Sequence, residues 1–261
     1  MTNDAAHSLW QANIDDEVAF WRRLAAGELP EKLDDWRTRF DPDLPIQDYA
    51  LAYTPEAERA ALRILDVGAG PATTLGKTYR GKRLDLTAVD PLAEHYRKVL
   101  DEFGLHPPSP SRKGEAERLV ELFGEESFDL VYSRNALDHS YDPVRAFGQI
   151  IALLKPGRSA LIECFANEAE HEGYGGLHQW NFDVRGSDFV IRGKRAPETS
   201  LRRIYGRTVE VDAYKFGDWI YLWLHRRPRG LVARLARLLK PMRRQNAHFL
   251  ALMDKTKHPG R

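Results

Sequence analysis

The sequence predicts an α/β fold: a doubly wound parallel sheet that ends in an antiparallel hairpin. Three observations carry that prediction. Short apolar runs alternate with helical-period segments from residue 63 to residue 165, and such alternation builds a parallel sheet with helices on both faces. The first run stops at a glycine turn, Gly68-Ala69-Gly70, as a strand does where backbone must approach a ligand without a Cβ in the way. Near the end of the chain, residues 208–216 and 219–226 flank Gly217-Asp218, a hairpin signal.

At the N-terminus, Asn13 followed by Asp16 and Glu17 reads as a helix start. Ile14, Val18, Trp21 and Leu24 then recur at helical spacing until Gly27. A more polar stretch continues to Phe40, where Asp41-Pro42 breaks it. Residues 1–58, with Trp10, Trp21 and Trp36, are expected to form a helical cover outside the sheet. The domain proper, 59–226, has strands expected at 63–67, 84–90, 109–113, 128–133 and 159–165, and helices near 91–103 and 143–154. Asp142-Pro143 caps the latter helix with proline at its first position, and Val144, Phe147, Ile151 and Leu154 are its expected buried stripe.

Residues 166–207 are an insertion rich in polar and aromatic groups. Gly175 and Gly176, among Glu168, His171, Glu172, Tyr174, His178 and Trp180, read as a shaped loop. Trp180 and Phe182 either stack on a ring or cover the core. Residues 227–261 form a basic amphipathic segment, with Leu231, Val232, Leu235, Leu238 and Leu239 as one stripe among arginines and lysines. That stripe suits three partners: its own domain, a second copy of the chain in a homodimer, or an anionic membrane surface met through 230–244. Nucleic acid fits least, because no aromatic-rich basic strand offers stacking for bases.

Composition narrows the class. With 261 residues, 43% of them hydrophobic, the chain can bury one good core. The single cysteine, Cys164, excludes a disulfide framework and a cysteine-ligated zinc site and suits a reducing cytoplasm. Residues 1–9 carry no signal pattern and no apolar stretch approaches ~20 residues, so a soluble cytoplasmic protein is expected. The net charge of +1 hides an asymmetry: residues 1–60 hold 6 basic and 13 acidic side chains, residues 185–261 hold 19 and 6. The two ends either pack together or the C-terminal end meets an anionic partner.

The glycine turn and Asp90 point to a nucleoside-containing cofactor. Asp90 ends a second apolar strand twenty residues beyond Gly70, where a carboxylate can accept hydrogen bonds from both ribose hydroxyls. A dinucleotide fingerprint would need a third glycine where Thr73 stands, and Asp66 beside the turn would repel a phosphate. Asp66 suits a cationic amino-acid moiety instead. S-adenosylmethionine has a ribose, an adenine, a sulfonium and an α-ammonium group, and no phosphate.

Ile64-Leu65-Asp66-Val67-Gly68-Ala69-Gly70 resembles the first motif of class I S-adenosylmethionine-dependent methyltransferases. Asp90, Gly114-Glu115-Ala116-Glu117, the apolar run 128–133 and Leu154-Lys155-Pro156-Gly157 follow in that family's order, over roughly residues 60–165. The resemblance implies a seven-stranded Rossmann-like sheet with an antiparallel terminal hairpin, and S-adenosylmethionine as cofactor. It implies cofactor-binding roles for Asp66, Gly68, Ala69, Gly70, Asp90, Glu115, Ala116 and Asn135. The acceptor is expected to be a hydroxyl of a small molecule or glycan. N- or C-methylation of a lipid-linked or small-molecule acceptor and a non-catalytic partner subunit are the alternatives.

Two histidines are candidates for the general base that removes the hydroxyl proton. His139 follows the fourth strand in Asn135-Ala136-Leu137-Asp138-His139, and its ordinary pKa leaves it mostly neutral at pH 7. His178, in the insertion, is the rival. Asp138 is not expected to pair with His139, because adjacent side chains diverge. No metal site is expected, since His139, His171 and His178 lack the spacing that sets two ligands on one helical face.

Overall fold

Arg63–Val67 (β1) is buried from its second residue onward, because Ile64 and Leu65 face opposite layers and both layers are filled. In the computed structural model, which describes residues 3–230 and 249–253, this strand lies inside a seven-stranded sheet. Asp85–Asp90 (β2) and Phe128–Arg134 (β4) pair with it in parallel on either side. Arg112–Lys113 (β3) adds a two-residue edge to β2, so the proline-rich third-strand region yields only a short strand. Leu154–Phe165 (β5) runs parallel to β4.

The chain returns as an antiparallel insertion sheet: Trp180–Arg185 (β6), Asp188–Gly193 (β7) and Thr199–Ser200 (β8). Val209–Phe216 (β9) and Trp219–Arg226 (β10) then form the expected hairpin, and β10 pairs antiparallel with β5. The sheet order is β3-β2-β1-β4-β5-β10-β9. It reverses direction between β1 and β4, which opens a crevice at their carboxyl ends.

Leu65, Val89, Val131 and Ile162 bury one sheet face against Pro143–Leu153 (here α6) and the insertion sheet. Asp142 caps α6 by accepting from the Arg145 amide at 3.0 Å. Its buried stripe is shifted from the expected one: Ala146, Phe147, Ile150 and Ile151 are buried, whereas Val144 is half-buried. The other face, with Ile64, Leu130, Tyr132, Leu161 and Trp223, is covered by residues 46–53 and by Phe249 and Met253. No helix lies in the crossover from β1 to β2. Residues 71–84 are held instead by residues 43–46, where a Cβ on Gly76 would meet Pro45 backbone at 2.1 Å.

Five further helices precede α6. Asn3–Ala12 (α1), which the sequence reading missed, leads into Ile14–Ala25 (α2) and Leu33–Phe40 (α3). Ala93–Glu102 (α4) and Leu119–Phe123 (α5) flank β3 in the chain. Trp21, Leu24 and Trp36 pack on Leu92, Tyr96 and Leu100, so α2 and α3 are clamped over the crevice by α4. The Asn13 side chain does not cap α2; its Nδ2 donates back to the Leu9 carbonyl at 2.8 Å. Glu168–His171 (α7) and Leu201–Tyr205 (α8) bracket the insertion sheet. Phe182 lies in β6 and packs on Phe147 and Phe189, so of its two expected roles it takes the core one. The basic stripe at 231–244 lies outside the described residues. Among those described, no helix is long and apolar enough to cross a membrane.

Candidate active site

The carboxyl ends of β1, β2 and β4, roofed by α2 and α3, enclose a cavity of about 830 Å³. Its floor is the glycine turn. Gly68 has φ +70°, and a Cβ there would lie 2.4 Å from the Ala136 methyl group. Gly70 has φ +63°, and its Cβ would strike the Trp21 ring at 2.7 Å. The turn therefore needs glycine twice over, for its handedness and for two close neighbours.

Buried groups fix this turn from below and from the side. Asp90 accepts from the Gly70 amide through Oδ2 at 3.0 Å and from the Leu92 amide through Oδ1 at 2.9 Å. Burial pushes its carboxyl up to about 7, against the pull of those two amides. Asp66 accepts from the Thr73 hydroxyl at 2.6 Å, and burial pushes it up to about 6 despite that bond. Thr73 thus occupies the third-glycine position in order to hold an acid.

Arg39, on α3, donates to the carbonyls of Ala69 and Ala72 and pairs with Asp35. Asp35 also receives Arg134 from the end of β4 at 2.6 Å. Lys77 is buried and donates to the Thr38 carbonyl at 2.7 Å. This cationic brace was missed by the sequence reading, because Arg39 stands thirty residues from Ala69 and carries no local signal.

At the other end of the cavity lie Glu115, Ala116 and Glu117. Glu115 accepts from the Tyr141 hydroxyl at 3.1 Å. Glu117 is buried, accepts from the Asp142 amide at 3.2 Å, and is pushed by burial up to about 7. Asn135 lines the cavity at φ +47°, and its side-chain oxygen accepts from the Phe165 amide at 3.3 Å, tying the ends of β4 and β5 together.

Both candidate bases face this cavity, and they face each other. His139 Nε2 is 3.1 Å from His178 Nδ1, with the rings edge to face at 85°. Asp138 lies beneath them, 2% exposed. Its Oδ2 is 2.9 Å from His178 Nδ1 and 3.6 Å from His139 Nε2. Asp138 hydrogen-bonds His178 and not its neighbour His139, as expected of adjacent side chains, although the turn Leu137–His139 leaves His139 close by. Burial works to raise the Asp138 pKa, but the two histidines hold it below the usual range. Burial works to lower the His178 pKa, but the Asp138 hydrogen bond and charge raise it.

The His178 loop is braced: Trp180 Nε1 donates to the Ser140 carbonyl at 2.8 Å, and Gln179 donates to the carbonyls of Tyr174 and Gly176. His171 is exposed on α7 and does not join the cluster. Asp138, His139 and His178 come together from two loops, their ring and carboxylate atoms within 4.8 Å of one another.

A family model described as a methyltransferase domain matches residues 25–206. The chain belongs to the class I S-adenosylmethionine-dependent methyltransferases, enzymes whose cofactor is S-adenosylmethionine. No curated protein matches it in sequence. Among solved structures, the [4+2]-cyclase SpnF has a TM-score of 0.50 at 15% identity, over 85% of this chain and 96% of that one. A Thermotoga maritima methyltransferase, described as a possible histamine N-methyltransferase, has a TM-score of 0.44 at 15% identity, over 80% and 99%. The CurJ carbon methyltransferase has 0.47 at 13%, over 68% of this chain, which spans about half (51%) of that structure. At 15% identity the likeness to SpnF concerns the fold alone.

The cavity fits the cofactor chemically. Two buried carboxylates, Asp66 and Asp90, line it beside the backbone of Gly68, Ala69 and Gly70, which suits a ligand with hydroxyl and ammonium donors.

Proposed function

We propose that this enzyme methylates a hydroxyl of a small molecule or glycan, with the Asp138–His178–His139 cluster drawing off the hydroxyl proton. One observation carries this reading: two half-buried imidazoles, linked at 3.1 Å over a buried carboxylate, open into the same cavity as the glycine turn and Asp90. Asp90 would accept both ribose hydroxyls, since each of its oxygens keeps a lone pair beyond its amide bond. Asp66 would meet the α-ammonium group, the backbone of Gly68, Ala69 and Gly70 would run along the cofactor, and Glu115 and Ala116 would border the adenine. Asn135 would shape the wall.

Methyl transfer from a sulfonium needs an in-line acceptor and little help with the leaving group, so alignment carries much of the catalysis. Removal of a hydroxyl proton by a positioned base adds about 10²–10⁴-fold. In this scheme residues 1–58 roof the site, 59–226 hold the machinery, 166–207 form the acceptor wall and 227–261 serve docking. A second reading, N-methylation of an amine, is favoured by Asp16, Glu17, Glu168 and Glu172 on the cavity lining, which would attract a cationic acceptor.

Calorimetric titration with S-adenosylmethionine, S-adenosylhomocysteine and NAD, on wild type and Asp90→Ala, tests the cofactor site. Micromolar binding of the two sulfur ligands, lost in the variant, is expected. A panel of hydroxyl and amine acceptors then tests the cluster: His139→Ala and His178→Ala should each lower kcat by about 10²–10⁴-fold with cofactor affinity unchanged. Full turnover in both would sink the histidine mechanism.

A further inference from the structure

Three electron-pair donors converge on one point at the cavity mouth. His139 Nε2, His178 Nδ1 and Asp138 Oδ2 are separated by 3.1, 2.9 and 3.6 Å. A neutral imidazole offers one donor and one acceptor, and an ionised carboxylate only acceptors. One proton on His178 Nδ1 has two acceptors competing for it. A second, on His139 Nε2, would point at the first. The cluster therefore has more lone pairs than protons that can be seated among them. Asp138 Oδ1 is moreover buried with no hydrogen-bond partner, and such an atom calls for an explanation.

A divalent cation gives the three facing lone pairs one common partner. Ligand atoms bonded to zinc at about 2.0–2.2 Å in tetrahedral or octahedral corners lie roughly 2.9–3.6 Å apart, which is the spacing found here. The two nitrogens and one oxygen occupy three corners and leave the remaining positions toward the cavity, because both rings line it while Asp138 lies beneath. Two imidazoles and a carboxylate suit zinc, iron(II), cobalt(II) or manganese(II) and do not suit calcium.

The surroundings support ligation. A histidine bound through one nitrogen usually donates its other N–H to a carboxylate. His139 Nδ1 lies 3.9 Å from Glu17 Oε2, outside direct hydrogen-bond reach but within charge attraction, and Glu17 is itself held by the Trp21 indole, which donates to Oε1 at 2.8 Å. The Trp180 bond to the Ser140 carbonyl fixes the His178 loop against the β4 turn, so the two halves of the cluster are preorganised.

We propose that Asp138, His139 and His178 form a divalent transition-metal site at the acceptor end of the cavity. This deepens the reading of the cluster as the place where the acceptor is activated, and rests on it for that role alone. With a cation bound, the ring nitrogens are ligands, and a hydroxyl oxygen in an open position loses its proton to solvent because the cation stabilises the alkoxide.

The test is made on the tag-free full chain, stripped with chelator and without acceptor, titrated with Co²⁺ and followed by visible absorption and by calorimetry. One Co²⁺ per chain with micromolar or tighter affinity is expected, displaced by Zn²⁺. Asp138→Asn, His139→Gln and His178→Gln should each weaken binding at least about 100-fold, and Glu17→Gln about 10-fold. His106→Ala, an exposed histidine far along the chain, should change nothing. Because a cluster variant could unfold, histidine ring NMR on the unaltered chain supplies a second measurement: Co²⁺ should perturb two of the nine imidazoles first. Binding that is weak, or indifferent to the three substitutions, or spread over all histidines would overturn the proposal. Metal binding without methyl transfer would leave this site standing and remove the hydroxyl reading. Transfer by a chelator-stripped enzyme that binds no metal would do the reverse.

Discussion

The Thr73 hydroxyl donates to Asp66 Oδ2 at 2.6 Å across the glycine turn, and its oxygen accepts from the Leu75 amide at 2.9 Å. One side chain thus fixes both the acid and the chain leaving the turn. A hydrogen bond to a buried charged group contributes about 1.5–3 kcal/mol. Thr73→Val should lower stability by that order and weaken S-adenosylmethionine binding about tenfold, while Thr73→Ser should retain both. Thermal melts and calorimetry on the two variants check this.

Gly70 and Trp21 form a second coupled pair, since a Cβ at Gly70 would sit 2.7 Å from the Trp21 ring. Gly70→Ala should cost about 1–3 kcal/mol through its positive φ and the overlap. Trp21→Ala removes the overlap but empties the packing against Trp36 and Tyr96. The double variant should be less destabilised than the sum of the singles, and a double-mutant cycle by denaturant unfolding measures the difference. Additivity would mean that α2 does not rest on the turn.

Asp90 and Asp66 predict a pH dependence with a definite sign. Burial pushes their folded pKa values up to about 7 and about 6, above the usual carboxylate range, so the folded state favours their protonated forms. Their contribution to the stability of the cofactor-free protein is present at low pH and is lost as pH rises from about 4 to about 7. Ribose hydroxyls donating to Asp90 favour its charged form, so binding should release protons near pH 6.5 and tighten toward pH 8. Calorimetry in buffers of different ionisation enthalpy reads this directly. Proton uptake on binding would contradict it.

Asp183 behaves oppositely. Although burial works to raise it, the Lys215 hydrogen bond at 3.0 Å, the Val184 amide and Arg185 lower its pKa to about 2. Its stabilising contribution is present above about pH 4 and lost as pH falls through about 2. Asp183→Asn should cost about 1 kcal/mol or less at neutral pH, as partly exposed pairs do, and nothing at about pH 2. Because Lys215 lies on β9 and Asp183 on β6, the loss should appear as early loosening of the insertion sheet in hydrogen exchange.

The legible parts of this molecule are local in the chain. Ile64 through Gly70 marked β1 and its turn, Asp142-Pro143 marked the start of α6, and Gly217-Asp218 marked the hairpin, because each signal is a backbone preference expressed within a few residues. Asp90 was legible because the fold sets it at a fixed interval from the turn, and its carboxylate does reach the Gly70 amide.

What the sequence determined by itself was therefore the class of fold, the cofactor and the two acids that line the cavity beside the glycine turn. Only the tertiary structure decided the rest. Arg39 reaches Ala69 from another helix, and the clamp of Trp21 on Gly70 depends on how α2 docks on α4. The meeting of Asp138 with His178, forty residues apart, depends on a loop held by Trp180 and Ser140. Contacts of this kind arise from packing between elements, and no residue spacing along the chain encodes them; they exist once the sheet has brought its loops to one end.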